Sequence, residues 1–240
     1  MMGEAPPYVM LIASLPALGP LLSEKAAPIN ESRLERRLRE LSPEDHAELE
    51  RLRSLASWMR LDMAEDETAF LARARSVIAG VRSEPIRALA RDRLEVRTLL
   101  AALRRRHAGG DAPAPGTPWG YGRFVETIRA NWGAPDFGVG RAFPWIGPAK
   151  EKLESGDRAG LERIVLEAAW AAGERHLALH TFDFEAVLYY VLRWSLVDRW
   201  SRYDAEAAAD RFAELLDEAL ADSPLANPPL ADPSGIRDVA

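Results

Sequence analysis

The chain has 240 residues, 48% of them hydrophobic, which is enough to form a core without disulfides or bound metals. It has no cysteine, so disulfides, zinc–thiolate sites, iron–sulfur clusters and thiol nucleophiles are excluded. A net charge of −6 and a pI near 5.4 argue against binding through a basic surface, so we expect no nucleic-acid partner.

The first apolar run covers residues 8 to 22 and is interrupted by Pro16, Gly19 and Pro20. It is too short and too broken to cross a bilayer, which takes roughly 20 apolar residues. The residues before it include Glu4 and neither lysine nor arginine, whereas an export signal begins with positive charge. The sequence therefore predicts a cytoplasmic protein with no direct membrane insertion.

Leucines at helical spacing predict a helix in two pieces over residues 30 to 61. The tetrapeptide Ser42-Pro43-Glu44-Asp45 starts the second piece, because serine caps free amides, proline suits the first helical position and carboxylates complement the helix dipole. Two more helices are predicted, over residues 66 to 81 and 83 to 107.

Arg104, Arg105 and Arg106 lie in the last turn of the second of these helices, just before Gly109-Gly110. Basic residues there compensate the helix dipole and commonly face solvent. The other interpretation is contact with an acidic partner. On that interpretation the three arginines are our candidate partner-binding residues.

Residues 109 to 118 contain three prolines and three glycines, which cannot continue a helix or a sheet. We predict a linker here, between an N-terminal helical half (1–108) and a C-terminal helical half (119–221). The C-terminal half is predicted to contain four helices, over residues 121–132, 157–174, 182–203 and 204–221. A flexible tail is predicted over 222–240. No segment alternates like a strand, so the predicted fold is mainly α with little or no sheet.

His176 and His180 form the sharpest metal hypothesis, with Glu174 and Asp183 close in sequence. On a helix, a spacing of four places both imidazoles on one face. However, the pair lacks the intervening glutamate of a zinc-protease helix, and histidines at a helix end are more often hydrogen-bonded or solvated. No nucleophile elbow or phosphate-binding loop appears either. We therefore predict no catalytic residue, no cofactor and no metal, and keep a metal-dependent helical enzyme as an alternative.

The stretch from Phe182 to Trp200 is apolar on more than one face. Such a helix needs several packed neighbours or a partner, and in soluble proteins it is usually central. We predict that it is the buried spine of the fold.

Several stretches resemble a known family. They are Phe182-Asp183-Phe184, Leu188-Tyr189-Tyr190-Val191-Leu192, Asp198-Arg199-Trp200, the helix from Ala205 to Leu220, the opening from Tyr8 to Pro16, and Leu41-Ser42-Pro43-Glu44-Asp45. Together they resemble an uncharacterised bacterial family encoded beside V/A-type ATPase subunits. The helix from Arg93 to Arg104 is similar to the leucine- and arginine-rich helices of the C/d component of V-type ATPases.

This resemblance implies a multi-helix bundle similar to that component, which joins the central stalk of a rotary ATPase to its membrane ring. The protein would then be a non-catalytic subunit or assembly factor, cytoplasmic and peripheral to the membrane. Its partners would be the stalk and ring subunits of the ATPase. A free-standing helical adaptor with an unrelated partner remains a further alternative. The chain is shorter than the classical C/d component and shows no threefold internal repeat.

Overall fold

The computed structural model describes residues 7–23, 26–56 and 67–221. The chain divides into two compact units, Met1–Ser201 and Arg202–Ala240, and the side-chain interactions reported below belong to the first. The predicted tail, 222–240, lies outside the described residues. Within those residues there are nine helices and no strand, which confirms the mainly α prediction. They are α1 (Val9–Ser14), α2 (Glu31–Leu38), α3 (Pro43–Ala56), α4 (Glu67–Gly80), α5 (Glu84–His107), α6 (Val125–Ala130), α7 (Ile146–Glu154), α8 (Arg158–Leu177) and α9 (Phe184–Ala221).

The helix starts follow the local sequence closely. The hydroxyl of Ser42 accepts a hydrogen bond from the amide of Asp45 at 3.1 Å, so the predicted cap of α3 is present. α5 begins at Glu84 and ends at His107, as the sequence predicts. None of the described helices is both long and apolar enough to cross a membrane.

α9 corrects one prediction, because a single helix replaces the two predicted over 182–203 and 204–221. The sequence between Phe184 and Ala221 contains neither proline nor glycine, so no residue interrupts the backbone hydrogen bonds. Asp204, which could cap a new helix, is therefore accommodated inside an existing one.

α5 lies at the centre of the fold, because it contributes buried residues to three apolar clusters. The first, which we call the α9 core, joins Ile86 and Leu89 of α5 to most of the buried residues of α9, with α2 and α8. The second, which we call the loop core, joins Leu99 and Leu103 to α6, α7 and the loops between them. The third packs the middle of α5 on α3 and α4.

Burial of α9 confirms the prediction of a central apolar helix. Val187 and Val197 are fully buried, and Trp194 is nearly so. Gly173 of α8 lies against this helix, and a methyl group there would come within 2.9 Å of a Leu192 side-chain carbon. The missing side chain therefore lets α8 and α9 approach closely.

Residues 109–118 lie inside the first compact unit rather than at its boundary. The Arg105 side chain donates to the carbonyl of Asp111 at 2.8 Å, and the Trp132 indole donates to the carbonyl of Gly110 at 3.1 Å. The loop core also draws buried residues from both predicted halves. The division between compact units therefore does not coincide with the predicted linker.

Candidate functional site

The N-terminal segment, residues 7–23, is fixed to α9 through its backbone. The amide of Tyr8 donates to the carbonyl of Phe182 at 3.0 Å. Farther along, the Tyr190 hydroxyl donates to the carbonyl of Pro16 at 3.0 Å, and Arg193 donates to the carbonyl of Leu18 at 3.2 Å. Polar groups of α9 thus satisfy carbonyls that no regular structure would pair.

Tyr8 connects this segment to a third part of the chain. Its hydroxyl donates to the Asp45 carboxylate and accepts from the amide of Ser42 at 3.2 Å. The buried ring therefore joins the start of the chain, the start of α3 and the residue before Asp183. We call this arrangement the Tyr8 junction.

Burial changes the acidity of the tyrosines that hold the segment. Desolvation, followed by the hydrogen bond to Asp45, raises the pKa of Tyr8 above its usual value. Desolvation raises the pKa of Tyr190 to about 12, against the opposing charges of Arg37 and Arg193. Both hydroxyls are therefore neutral donors at physiological pH.

Beside the Tyr8 junction lie the large apolar side chains that are exposed among the described residues. Leu179 is 97% exposed, Met10 78%, Phe182 38% and Val9 37%. We call these four the apolar end surface. They occupy two chain segments that the Tyr8–Phe182 hydrogen bond joins. Leaving a leucine-sized side chain in water forgoes about 1.5–3 kcal/mol of burial free energy, so their grouping needs a reason.

The loop that carries Leu179 and Phe182 is firmly anchored. Asp183 caps α9 by accepting from the amide of Ala186 at 2.9 Å, and its other oxygen lies 2.6 Å from Nδ1 of His180. Single ligand atoms of His180, Asp183 and Glu185 lie within 4.8 Å of one another, so these residues could hold a cation. The Asp183 oxygens already have partners, however, and serve the cap.

The structure contradicts the predicted placement of His176 and His180 on one helical face. α8 ends at Leu177, so only His176 is helical. His176 Nε2 lies 2.9 Å from an Asp92 carboxylate oxygen, which also accepts from Arg175 at 2.6 Å. The spacing argument fails because the backbone leaves the helix between the two imidazoles, and each finds its own carboxylate.

His176 and Asp92 line a polar cleft of about 930 Å³ between α5 and the loop that precedes α6. In its wall, the buried carboxylate of Glu95 accepts from the backbone amide and the guanidinium of Arg123 at 2.9–3.0 Å. Those hydrogen bonds raise the pKa of Arg123. Positive and negative groups alternate in this lining, so its charges largely satisfy one another.

The three candidate partner-binding arginines differ in their surroundings. Arg106 donates to the carbonyls of Trp132, Ala134 and Pro135, and its guanidinium lies 3.9 Å from the centre of the Phe137 ring. Burial lowers the pKa of Arg104 and of Arg106. Of the three, Arg105 is the exposed one. Partner contact through these residues stays a prediction.

Sequence reasoning did not single out the apolar end surface. Val9 and Met10 were part of an apolar run, and Phe182 was part of an apolar helix, so neither stood out. Leu179 carried the available signal, since it is a large apolar residue in a short turn between two helices, where polar residues are usual. No protein-family model matches the chain, and neither curated proteins nor solved structures include a significant match.

Proposed function

We propose that this protein is a non-catalytic helical subunit of a V/A-type rotary ATPase, or an assembly factor for one. It would act from the cytoplasmic side, peripheral to the membrane, between the central stalk and the membrane ring. The observation that carries the proposal is the Tyr8 junction. Three of the separate stretches that resemble the ATPase-linked family meet there: the opening, the Ser42 turn and the start of α9. Chance matches would have no reason to meet in space.

The packing of the helices also suits a mechanical role. A coupler has to transmit force without deforming, and close-packed protein interiors have low compressibility. α5 joins three cores along 24 residues, so a load on one core reaches the others through one continuous helix. This arrangement favours force transmission, although a static scaffold would share it.

Co-purification tests the proposal. An affinity-tagged chain, expressed at its native level in the source cells, should recover the stalk and ring subunits of the ATPase after gentle membrane solubilisation. The matched control is the same tag on an unrelated helical protein of similar charge. The gene should also lie among ATPase subunit genes. Recovery of neither stalk nor ring, together with an unrelated gene neighbourhood, would contradict the proposal.

The two alternative functions predict different results in the same preparation. A free-standing adaptor would recover a defined partner that is not part of the ATPase. A metal-dependent enzyme would contain stoichiometric metal when purified without a tag, and His180→Ala would lose that metal. The structure directs this second test to His180, because His180 lies beside Asp183 and Glu185 while His176 does not belong to that group.

A further inference from the structure

The apolar end surface is a fixed feature of the fold. Leu177 and Phe184, on either side of its loop, are both buried, and Asp183 holds the loop to the first turn of α9. On the other segment, Tyr8 and Leu11 are buried on either side of Val9 and Met10. The exposed side chains are thus presented by an anchored backbone, and such preorganisation lowers the entropy cost of binding.

Acidic groups border this surface. Asp183 follows Phe182 directly and its side chain is 40% exposed, and Glu185 is two residues further on. The N-terminal segment, residues 7–23, contributes no charged side chain. The nearest arginine before the loop, Arg175, is paired with Asp92. An apolar patch with an acidic edge is complementary to a ligand with an apolar face and basic flanks.

From this pattern we infer that the apolar end surface binds an amphipathic helix of a partner protein, with leucine-like anchors on one face and lysine or arginine beside them. The acidic edge disfavours an anionic membrane. It also disfavours a second copy of the chain, since a symmetric pair would bring the two acidic edges together. Four side chains are few for a stable dimer, which buries about 800 Å² on each partner, but they match the three or four anchors of a single docked helix.

The absence of cysteine makes a site-specific test simple. Thr181 is exposed beside the surface and Glu151 is exposed on α7, so Thr181→Cys and Glu151→Cys each give a single thiol for an environment-sensitive dye. The probe is a synthetic helix of about 18 residues, or about five turns, with leucine on one face and lysine elsewhere. Its matched control replaces every lysine with glutamate.

We expect the lysine peptide to shift the emission of the dye at position 181 saturably and to leave the dye at 151 unchanged. The glutamate peptide should not bind. Combining Met10→Ser with Leu179→Ser should weaken binding about tenfold or more, because both anchors lose their apolar contacts. Glu185→Gln should weaken it about two- to fivefold, and added salt should mimic that change. These substitutions are at exposed or half-exposed positions, so melting curves should remain unchanged.

Three results would overturn the inference. The lysine peptide fails to bind, or it binds the double serine variant equally well. Anionic vesicles bind and the peptide does not, which would make the surface a membrane contact. The full chain dimerises in sedimentation experiments and Leu179→Ser abolishes the dimer, which would make the surface a self-contact. Each result concerns this surface alone, whereas co-purification with ATPase subunits tests the proposed function, so either can fail without the other.

Discussion

Two irregular segments of the molecule are held in place in different ways. The N-terminal segment, residues 7–23, offers backbone carbonyls to neutral donors and to one arginine of α9. The loop that precedes α6 is instead held by α5 and α4 side chains that accept from its amides: Glu95 from Arg123, Thr98 from Tyr121 at 2.8 Å, and Glu67 from Gly120 at 3.2 Å.

This difference has consequences for substitutions and for pH. The N-terminal segment depends on two tyrosine hydroxyls, which lose their proton at high pH. The loop depends on close backbone approach and on arginine donors that stay charged. We therefore expect the loop to be more sensitive to small changes of shape, and the N-terminal segment to be more sensitive to alkaline conditions.

Phe137→Ala should give the largest effect. Phe137 is fully buried in the loop core and lies under the Arg106 guanidinium. Removing the ring leaves a cavity and should lower the free energy of unfolding by about 3–5 kcal/mol, measured by urea denaturation. Leu179→Ala, at an exposed position, is the control and should change stability by less than about 0.5 kcal/mol. Equal effects would show that the loop core contributes little to stability.

Gly122→Ala tests the close approach of the loop to α5. Gly122 has a φ of 111°, and a Cβ there would lie 2.3 Å from Cγ of Glu95. Backbone strain and the displaced carboxylate should together cost about 2–4 kcal/mol. Gly116→Ala is the matched control, since its φ is 78° and nothing lies within 4 Å of its Cβ position. A similar loss in both variants would mean that φ alone, and no contact with Glu95, explains the cost.

The helices of both regions were predictable, but the attachment of the loop was not. Periodic leucines, the Ser42 cap and the arginine run before Gly109 are local signals, and they predicted α3 and α5. The contacts of Glu67 and Glu95 join residues 53 and 28 positions apart, and a single sequence carries no mark of such pairing. The glycines of this region indicated a linker, whereas Gly122 is required where the backbone passes over a buried carboxylate.

The same limit applied to the candidate sites. A spacing of four related His176 to His180 only while the helix continued, and α8 ends between them. The true partner of His176 is Asp92, which lies 84 positions away. The Tyr8 junction was half-predictable, because the apolar character of residues 182–200 indicated a buried helix, while the residues it packs against came from the fold.

Arg106→Lys separates a structural role from a partner-binding role. A lysine cannot donate to the three carbonyls that Arg106 reaches, so we expect a loss of about 1.5–3 kcal/mol in unfolding free energy. Arg105→Lys, at the exposed neighbour, should cost less than about 0.5 kcal/mol. If the arginine run contacts a partner, Arg105→Glu should reduce recovery of that partner without changing the melting temperature. Unchanged recovery would remove Arg105 from the interface.

Tyr190→Phe should give the smallest effect at neutral pH and a distinctive pH dependence. The loss of the hydrogen bond to Pro16 should cost about 1 kcal/mol. Because the folded protein raises the pKa of Tyr190 from 10.0 to about 12, folding holds the phenolic proton more tightly than the unfolded chain does. This contribution is complete below about pH 10 and is lost as the pH rises towards 12. In urea denaturation, the stability gap between wild type and Tyr190→Phe should therefore be smaller at about pH 11 than at about pH 8.

Two further variants complete this comparison of the segments. Tyr8→Phe should change in the same direction as Tyr190→Phe, since the pKa of Tyr8 is also raised. The gap between wild type and Phe137→Ala should stay constant over the same pH range, because that substitution in the loop core changes no titratable group. A constant gap for Tyr190→Phe as well would show that neutral tyrosine donors do not distinguish the N-terminal segment from the loop, and that both are held mainly by contacts that do not titrate.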